Sequence, residues 1–109
     1  MKTPDPDILN EMVRRIVEVA HPLRIILFGS AARGEMGPDS DLDLLVVMPD
    51  GIHRRRTSQA LFMALRAVDI PKDIVVVTQR DVIEYGDNPS LVIRPALADG
   101  KELYHDGCR

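Results

Sequence analysis

Two aspartates separated by one residue, Asp41 and Asp43, lie in an otherwise apolar run, DLDLLVVM. If this run is a β-strand, side chains at positions i and i+2 point to the same face, so both carboxylates project together. Two like charges about 7 Å apart along a strand repel each other, and a cation is the natural compensation. Because oxygen ligands favour magnesium or manganese, the pair predicts a divalent-metal site. An isolated D-x-D is more often a set of exposed acids at a strand end, with Asp41 as a turn cap.

A glycine turn precedes these acids in the sequence. Gly29 and Ser30 follow the apolar run LRIILF, and Ser30 can cap a short helix over residues 31–33. The free backbone N–H groups and the positive end of such a helix can hold phosphate, Gly29 allows close backbone approach, and the Ser30 hydroxyl adds a donor. Arg33 is a candidate phosphate contact, although an ordinary solvated arginine fits the sequence equally well.

A third acid, Asp73, opens the β-branched run DIVVVT. A neighbouring strand could carry Asp73 alongside Asp41 and Asp43, and three carboxylates could hold two metal ions. In such a site one metal and a carboxylate activate an attacking hydroxyl, while the other metal stabilises a triphosphate and its leaving pyrophosphate. The alternative is that Asp73 only marks the start of a strand.

The remaining pattern predicts the elements that must position these residues. Apolar spacing and Gly/Pro punctuation favour alternating helices and strands. Helices are predicted over residues 8–20, 54–68, 81–85 and 90–99, and strands over residues 23–28, 41–48, 73–78 and 102–105. Such an order predicts an α/β or α+β fold with a single small mixed sheet flanked by helices.

The length, charge and composition of the chain restrict the class of protein. With 109 residues, residues 1–109 are expected to form one domain. A net charge of −3 argues against general attraction to nucleic acid. A single cysteine, the absence of an evident signal peptide and apolar runs far below the roughly 18 residues that a bilayer needs predict a cytoplasmic protein without a membrane segment.

Three segments together carry a family resemblance. GSAARG, SDLDLLV and KDIVVV resemble the minimal nucleotidyltransferase (MNT) group of the DNA polymerase β-like nucleotidyltransferase superfamily, over residues 23–77. The resemblance implies a polymerase β-like fold, two Mg²⁺ ions and transfer of a nucleoside monophosphate, expected to be AMP from ATP, to an acceptor hydroxyl. It implies that Gly29 and Ser30 hold the triphosphate, that Asp41 and Asp43 bind the metals, and that Asp73 acts as metal ligand and base; Arg33 also matches the pattern.

The resemblance also implies a partner. Members of this group are often paired with a HEPN-domain toxin, and some neutralise it by transferring AMP to a tyrosine, so an antitoxin is the leading expectation. The alternative is a non-catalytic antitoxin that neutralises such a partner by direct contact. A third hypothesis is RNA binding through the basic residues 53–56, for which a solvated helix start is the simpler interpretation. The sequence leaves open whether the chain forms a homo-oligomer.

Overall fold

The computed structural model describes residues 6–29, 34, 41–68, 70–85 and 100–106 of the chain. These residues form three α-helices and four β-strands. The helices are α1 (Pro6–Ala20), α2 (Arg54–Ala64) and α3 (Gln79–Tyr85), and the strands are β1 (Arg24–Phe28), β2 (Leu42–Met48), β3 (Lys72–Thr78) and β4 (Lys101–His105).

The four strands form one mixed sheet in the order β3-β2-β1-β4. β1 pairs antiparallel with β2 and with β4, while β2 and β3 pair in parallel. A parallel pair needs a crossover connection, and α2 provides it between β2 and β3. β4 is an edge strand, as predicted, and a register irregularity interrupts its pairing with β1 next to Ile26. The predicted small mixed sheet is confirmed.

The sheet separates two apolar clusters, because successive strand residues point to opposite faces. On one face Leu44, Val46 and Met48 of β2 pack with residues of α1 and α2. On the other face Leu45 and Val47 pack with Ile26 and Val77, and Val82 of α3 packs against this cluster. Since β2 is central and buried on both faces, it reads as a nearly continuous apolar run, and Asp43 is the only polar residue within it.

Two helix ends depend on specific local contacts. After α1, His21 adopts a positive φ of 50° and its N–H donates to the Val17 carbonyl at 3.0 Å, so the helix ends at Ala20, two residues before Pro22. α2 ends at Ala64, not at residue 68 as predicted. The N–H of Leu65 still donates to the Leu61 carbonyl at 3.0 Å, but from Arg66 onward shorter-range turn bonds form, such as Arg66 to the Met63 carbonyl at 3.3 Å. Arg15 Nη1 caps the Ala64 carbonyl at 3.2 Å.

Several predicted elements lie outside the described residues. These are the short helix over residues 31–33, most of the loop over residues 34–40 and the helix over residues 90–99. Within the described ranges, each helix is too short or too polar to cross a bilayer.

Candidate functional site

The site forms where β2 and β3 begin side by side. Asp43 and Asp73 are each the second residue of their strand and are register partners in the parallel pair. Neighbouring strands lie about 4.8 Å apart, and register partners in a parallel pair project to the same face. Alternation along β2 and β3 places both aspartates on the face of Leu45, Val47 and Val77. The structure therefore places Asp43 and Asp73 at adjacent positions of two neighbouring strands.

Gly29 lies directly against this pair of acids. It follows β1, whose last residue, Phe28, is the register partner of Asp43. Its φ is +75°, a left-handed conformation that glycine adopts without a steric cost. A Cβ at this position would overlap Asp43 Oδ2 and lie 3.3 Å from Asp43 Cγ. The glycine turn and the acid are therefore in contact, and the space freed by the missing Cβ is occupied by a carboxylate.

Asp41 lies at the rim of the site, one residue before β2, and it is exposed. The adjoining strand start is fixed because the N–H of Leu42 donates to the Pro71 carbonyl at 3.0 Å. Among the residues that the structure describes, no three acidic, histidine or cysteine side chains converge into a metal-binding cluster. The structure thus brings Asp43 and Asp73 together and does not gather Asp41 with them into one closed cluster.

Ser30 and Arg33, the two other predicted phosphate contacts, lie outside the described residues. Their roles stay predictions from the sequence. Of the predicted phosphate-binding turn, the structure describes Gly29 and Gly34, and both have positive φ, +75° and +71°.

Lys72 was missed by sequence reasoning, although it immediately precedes Asp73. Its ammonium group donates to the carbonyls of Val68 at 2.8 Å and Ile70 at 3.0 Å. These bonds tie the turn before β3 to the start of the strand and direct the lysine charge to those carbonyls. A lysine beside a strand-opening acid was visible in the sequence, but nothing in the pattern indicated where its side chain would bind.

A second polar arrangement holds the opposite end of the sheet. The N–H of Thr78 donates to Asp81 Oδ2 at 3.0 Å, and the N–H of Asp81 donates to Thr78 Oγ1 at 3.1 Å, which is a reciprocal cap at the start of α3. Arg54 of α2 forms an ion pair with the same carboxylate at 2.9 Å. The Thr78 N–H is the main cause that lowers the pKa of Asp81, with Arg54 contributing. This clasp joins α2 to α3 far from the acids.

A cavity of about 490 Å³ is also found at this opposite end, lined in part by Arg24, Gln79 and His105. Arg24 there forms an ion pair with Glu102 at 2.8 Å. The cavity is separated from Gly29 and Asp43 by the length of β1, about 13 Å at 3.3 Å per residue. The acid site and this cavity therefore lie at different places on the molecule.

The donor chemistry of the acid pair fits a hard divalent cation. Asp43 is partly buried and Asp73 is exposed, and both offer only carboxylate oxygens, which are ligands that Mg²⁺ prefers. Two adjacent carboxylates on one face repel each other, so a cation between them would lower their electrostatic energy. The Asp41 carboxylate at the rim could supply further oxygen ligands. The arrangement is suited to hold a metal and the phosphates bound to it.

Comparisons with known proteins show the family and the fold class of this chain. The family model described as the nucleotidyltransferase domain matches residues 7–96, so the chain belongs to that family. This confirms the family prediction that GSAARG, SDLDLLV and KDIVVV suggested. A search of curated proteins gave no significant match.

Solved structures share the fold at low sequence identity. One is a chain of a toxin–antitoxin complex with AMP-PNP, with TM-score 0.59, 22% identity, and coverage of 91% of this chain and 74% of that one. A second, from Sulfolobus solfataricus and described as a nucleotidyltransferase, has TM-score 0.59 and 19% identity over 92% and 79% of the two chains. A third comes from the complex of a tri-AMPylated Shewanella oneidensis HEPN toxin with its MNT antitoxin, with TM-score 0.54 and 20% identity over 96% and 73%. The polymerase β-like nucleotidyltransferase fold predicted from the sequence is thus confirmed.

Proposed function

We propose that this nucleotidyltransferase-family protein is an Mg²⁺-dependent enzyme that transfers AMP from ATP to an acceptor hydroxyl. The observation that supports it most strongly is the register pairing of Asp43 and Asp73 beside the Gly29 turn. Transfer needs carboxylates that can hold metal ions and a turn that can hold a triphosphate, and these two requirements meet at the start of β2.

The proposed role of each residue follows from its position in the site. Asp43, Asp73 and Asp41 would hold up to two Mg²⁺ ions, which supply charge stabilisation for the triphosphate when bound. Gly29, Ser30 and Arg33 would bind the phosphates. The acceptor oxygen forms a bond to the α-phosphorus, the bond from that phosphorus to the bridging oxygen breaks, and pyrophosphate leaves. Asp73, the more exposed carboxylate of the pair, accepts the proton of the acceptor hydroxyl.

The acceptor in this proposal is a tyrosine hydroxyl of a HEPN-domain toxin, and the protein acts as its antitoxin in the cytoplasm. Two observations support it: one structural neighbour comes from the complex of a tri-AMPylated HEPN toxin with an MNT antitoxin, and another comes from a toxin–antitoxin complex with AMP-PNP. A protein partner that presents its own hydroxyl would supply the acceptor.

The test uses purified protein, ATP, Mg²⁺ and a HEPN-domain protein sought among the products of the neighbouring genes. Intact-mass spectrometry should show AMP added to that partner by the wild type and by the control variant Glu84→Gln, which alters an exposed acid on α3. Asp43→Asn and Asp73→Asn should each abolish the addition. If the Asn variants modify the partner as fast as the wild type, the proposal is wrong.

A second candidate is a binding module that neutralises its partner without turnover. The observation that favours it is that no three potential metal ligands converge among the described residues. A growth assay separates the two candidates. Under the enzymatic proposal the double variant Asp41→Ala/Asp43→Ala still associates with the toxin but does not restore growth, whereas a binding module restores growth without its acids.

A further inference from the structure

Helix α2 carries an unusual charge distribution. Residues 53–68 contain four arginines and no Asp or Glu, in a chain whose net charge is −3. Arg54, Arg55 and Arg56 occupy the first three positions of α2, and its first turn has no acidic residue. The N-terminus of a helix is the positive end of its dipole, so three cations there oppose helix stability. No acidic residue in the first turn of α2 offsets this unfavourable placement. We therefore take it as a sign that the arginines serve a purpose other than helix stability.

Only one of these charges is balanced by a neighbour in the described part of the chain. Arg54 forms an ion pair with Asp81 at 2.9 Å. Arg55, Arg56 and Arg66 are exposed, and their guanidinium groups contact no carboxylate among residues 6–29, 41–68, 70–85 and 100–106. Within the described part of the chain, three positive charges without an ion-pair partner therefore lie on and just after this helix.

Two large apolar side chains lie among these arginines. Phe62 is 42% exposed and Met63 is 70% exposed. Arg55 and Phe62 are seven residues apart, as are Arg56 and Met63, so each pair lies on one side of α2 about 10 Å apart along its axis. Arginine, methionine and aromatic residues are enriched in protein–protein interfaces and lysine is depleted, and α2 contains no lysine. The composition is typical of a protein-binding surface.

We infer that Arg55, Arg56, Phe62, Met63 and Arg66, here called the arginine face, dock an acidic protein surface that carries apolar side chains. The arginines match negative charge, and Phe62 and Met63 gain from burial against apolar partner groups. RNA fits less well because Phe62 is the one aromatic group on this face and the protein as a whole is acidic.

The arginine face is separate from the acids. α2 packs against the sheet face that carries Leu44 and Val46, whereas Asp43 and Asp73 belong to the face that carries Leu45 and Val77. A partner docked on α2 therefore leaves the acid pair accessible. The inference is independent of the proposed AMP transfer, since docking requires no catalytic carboxylate.

The test begins with site-specific photo-crosslinking in cells. A photoreactive phenylalanine analogue replaces Met63 in one preparation and Ile83 in a matched control. Ile83 is an equally exposed apolar residue, at 74%, but the neighbouring Arg80 is paired with Glu84 at 2.9 Å. The expected result is a protein crosslinked from position 63 and not from position 83, through a peptide rich in Asp and Glu.

The captured protein is then purified and titrated against variants. Arg55→Glu/Arg66→Glu should weaken its binding at least about tenfold, and Ile83→Ser should leave it unchanged. Circular dichroism should show both variants folded, since an acid at position 55 suits the helix N-terminus. Asp43→Asn should bind like the wild type, which separates this inference from the transfer proposal.

Four outcomes would overturn the inference. They are equal crosslinking from both positions, no protein crosslink from position 63, a crosslinked peptide without excess acidic residues, and unchanged binding by the double variant. Binding of a uridine 20-mer RNA, or of vesicles of phosphatidylglycerol and phosphatidylcholine, that is lost in the same double variant would assign the face to RNA or to membrane instead.

Discussion

Replacing Gly29 by alanine should damage the acid site more than the fold. The backbone at Gly29 has φ +75°, and an L-residue in the left-handed region costs about 1–2 kcal/mol. The added Cβ would also overlap Asp43 Oδ2. A carboxylate at the end of a short side chain can turn away, and an off-rotamer torsion costs about 0.5–1.5 kcal/mol. The sum is a loss of roughly 1.5–3.5 kcal/mol in the free energy of unfolding.

Gly51 provides a matched control for the backbone contribution. Its φ is +90°, and a Cβ built there meets no atom within 4 Å. Gly51→Ala should therefore cost only the left-handed strain, about 1–2 kcal/mol, and should leave AMP transfer intact. Gly29→Ala should cost more and should lower transfer by at least about tenfold, because Asp43 leaves its position.

A double-mutant cycle isolates the contact. In an Asp43→Ala background the overlap no longer exists, so Gly29→Ala should cost only the backbone strain, about 1–2 kcal/mol. Urea unfolding of the four proteins gives the coupling, expected at about 0.5–1.5 kcal/mol. A coupling of zero, together with full activity of Gly29→Ala, would refute the argument that Gly29 makes room for the Asp43 carboxylate.

Three further outcomes are expected from the same structure. Mg²⁺ at ten times its dissociation constant should stabilise the wild type by about 1.4 kcal/mol, read as a rise in Tm, and should not stabilise Asp43→Asn/Asp73→Asn. Because the pKa of Asp81 is lowered in the folded state, its contribution is present above the unfolded pKa of about 3.9 and lost as pH falls through the lower folded value. The stability difference between wild type and Asp81→Asn in urea should therefore shrink below about pH 4, and a pH-independent difference would contradict this cause. Leu45→Ala, at a fully buried position, should cost about 2–5 kcal/mol by chemical denaturation, whereas Ile83→Ala, at a position 74% exposed, should be near neutral.

The strands were predictable because their apolar runs are short and bounded by turn residues. β2 was placed within one residue of its observed start, and the acid at Asp43 was assigned to the correct strand end. The family was also predictable, since the glycine turn, D-x-D and single later acid occur in order at diagnostic spacing. These signals depend only on residues that are close together in the chain, so a single sequence is enough to detect them.

The tertiary contacts at both ends of β3 were not predictable. The Lys72 bonds to Val68 and Ile70 depend on the path of a turn, and the Asp81 clasp with Arg54 joins residues 27 positions apart. The early end of α2 has the same origin: apolar spacing continues to Val68, but turn bonds after Ala64 bring the chain toward β3. Only the tertiary arrangement determines these partners.

The proposed AMP transfer is tested most directly by the fate of the ATP phosphates. Wild-type protein, Mg²⁺ and the HEPN-type partner are incubated with ATP radiolabelled either at the α-phosphate or at the γ-phosphate. The account predicts that the partner retains the α-label and no γ-label, and that Asp43→Asn and Asp73→Asn transfer neither. Retention of the γ-label, or α-label transfer that survives both substitutions, would contradict it.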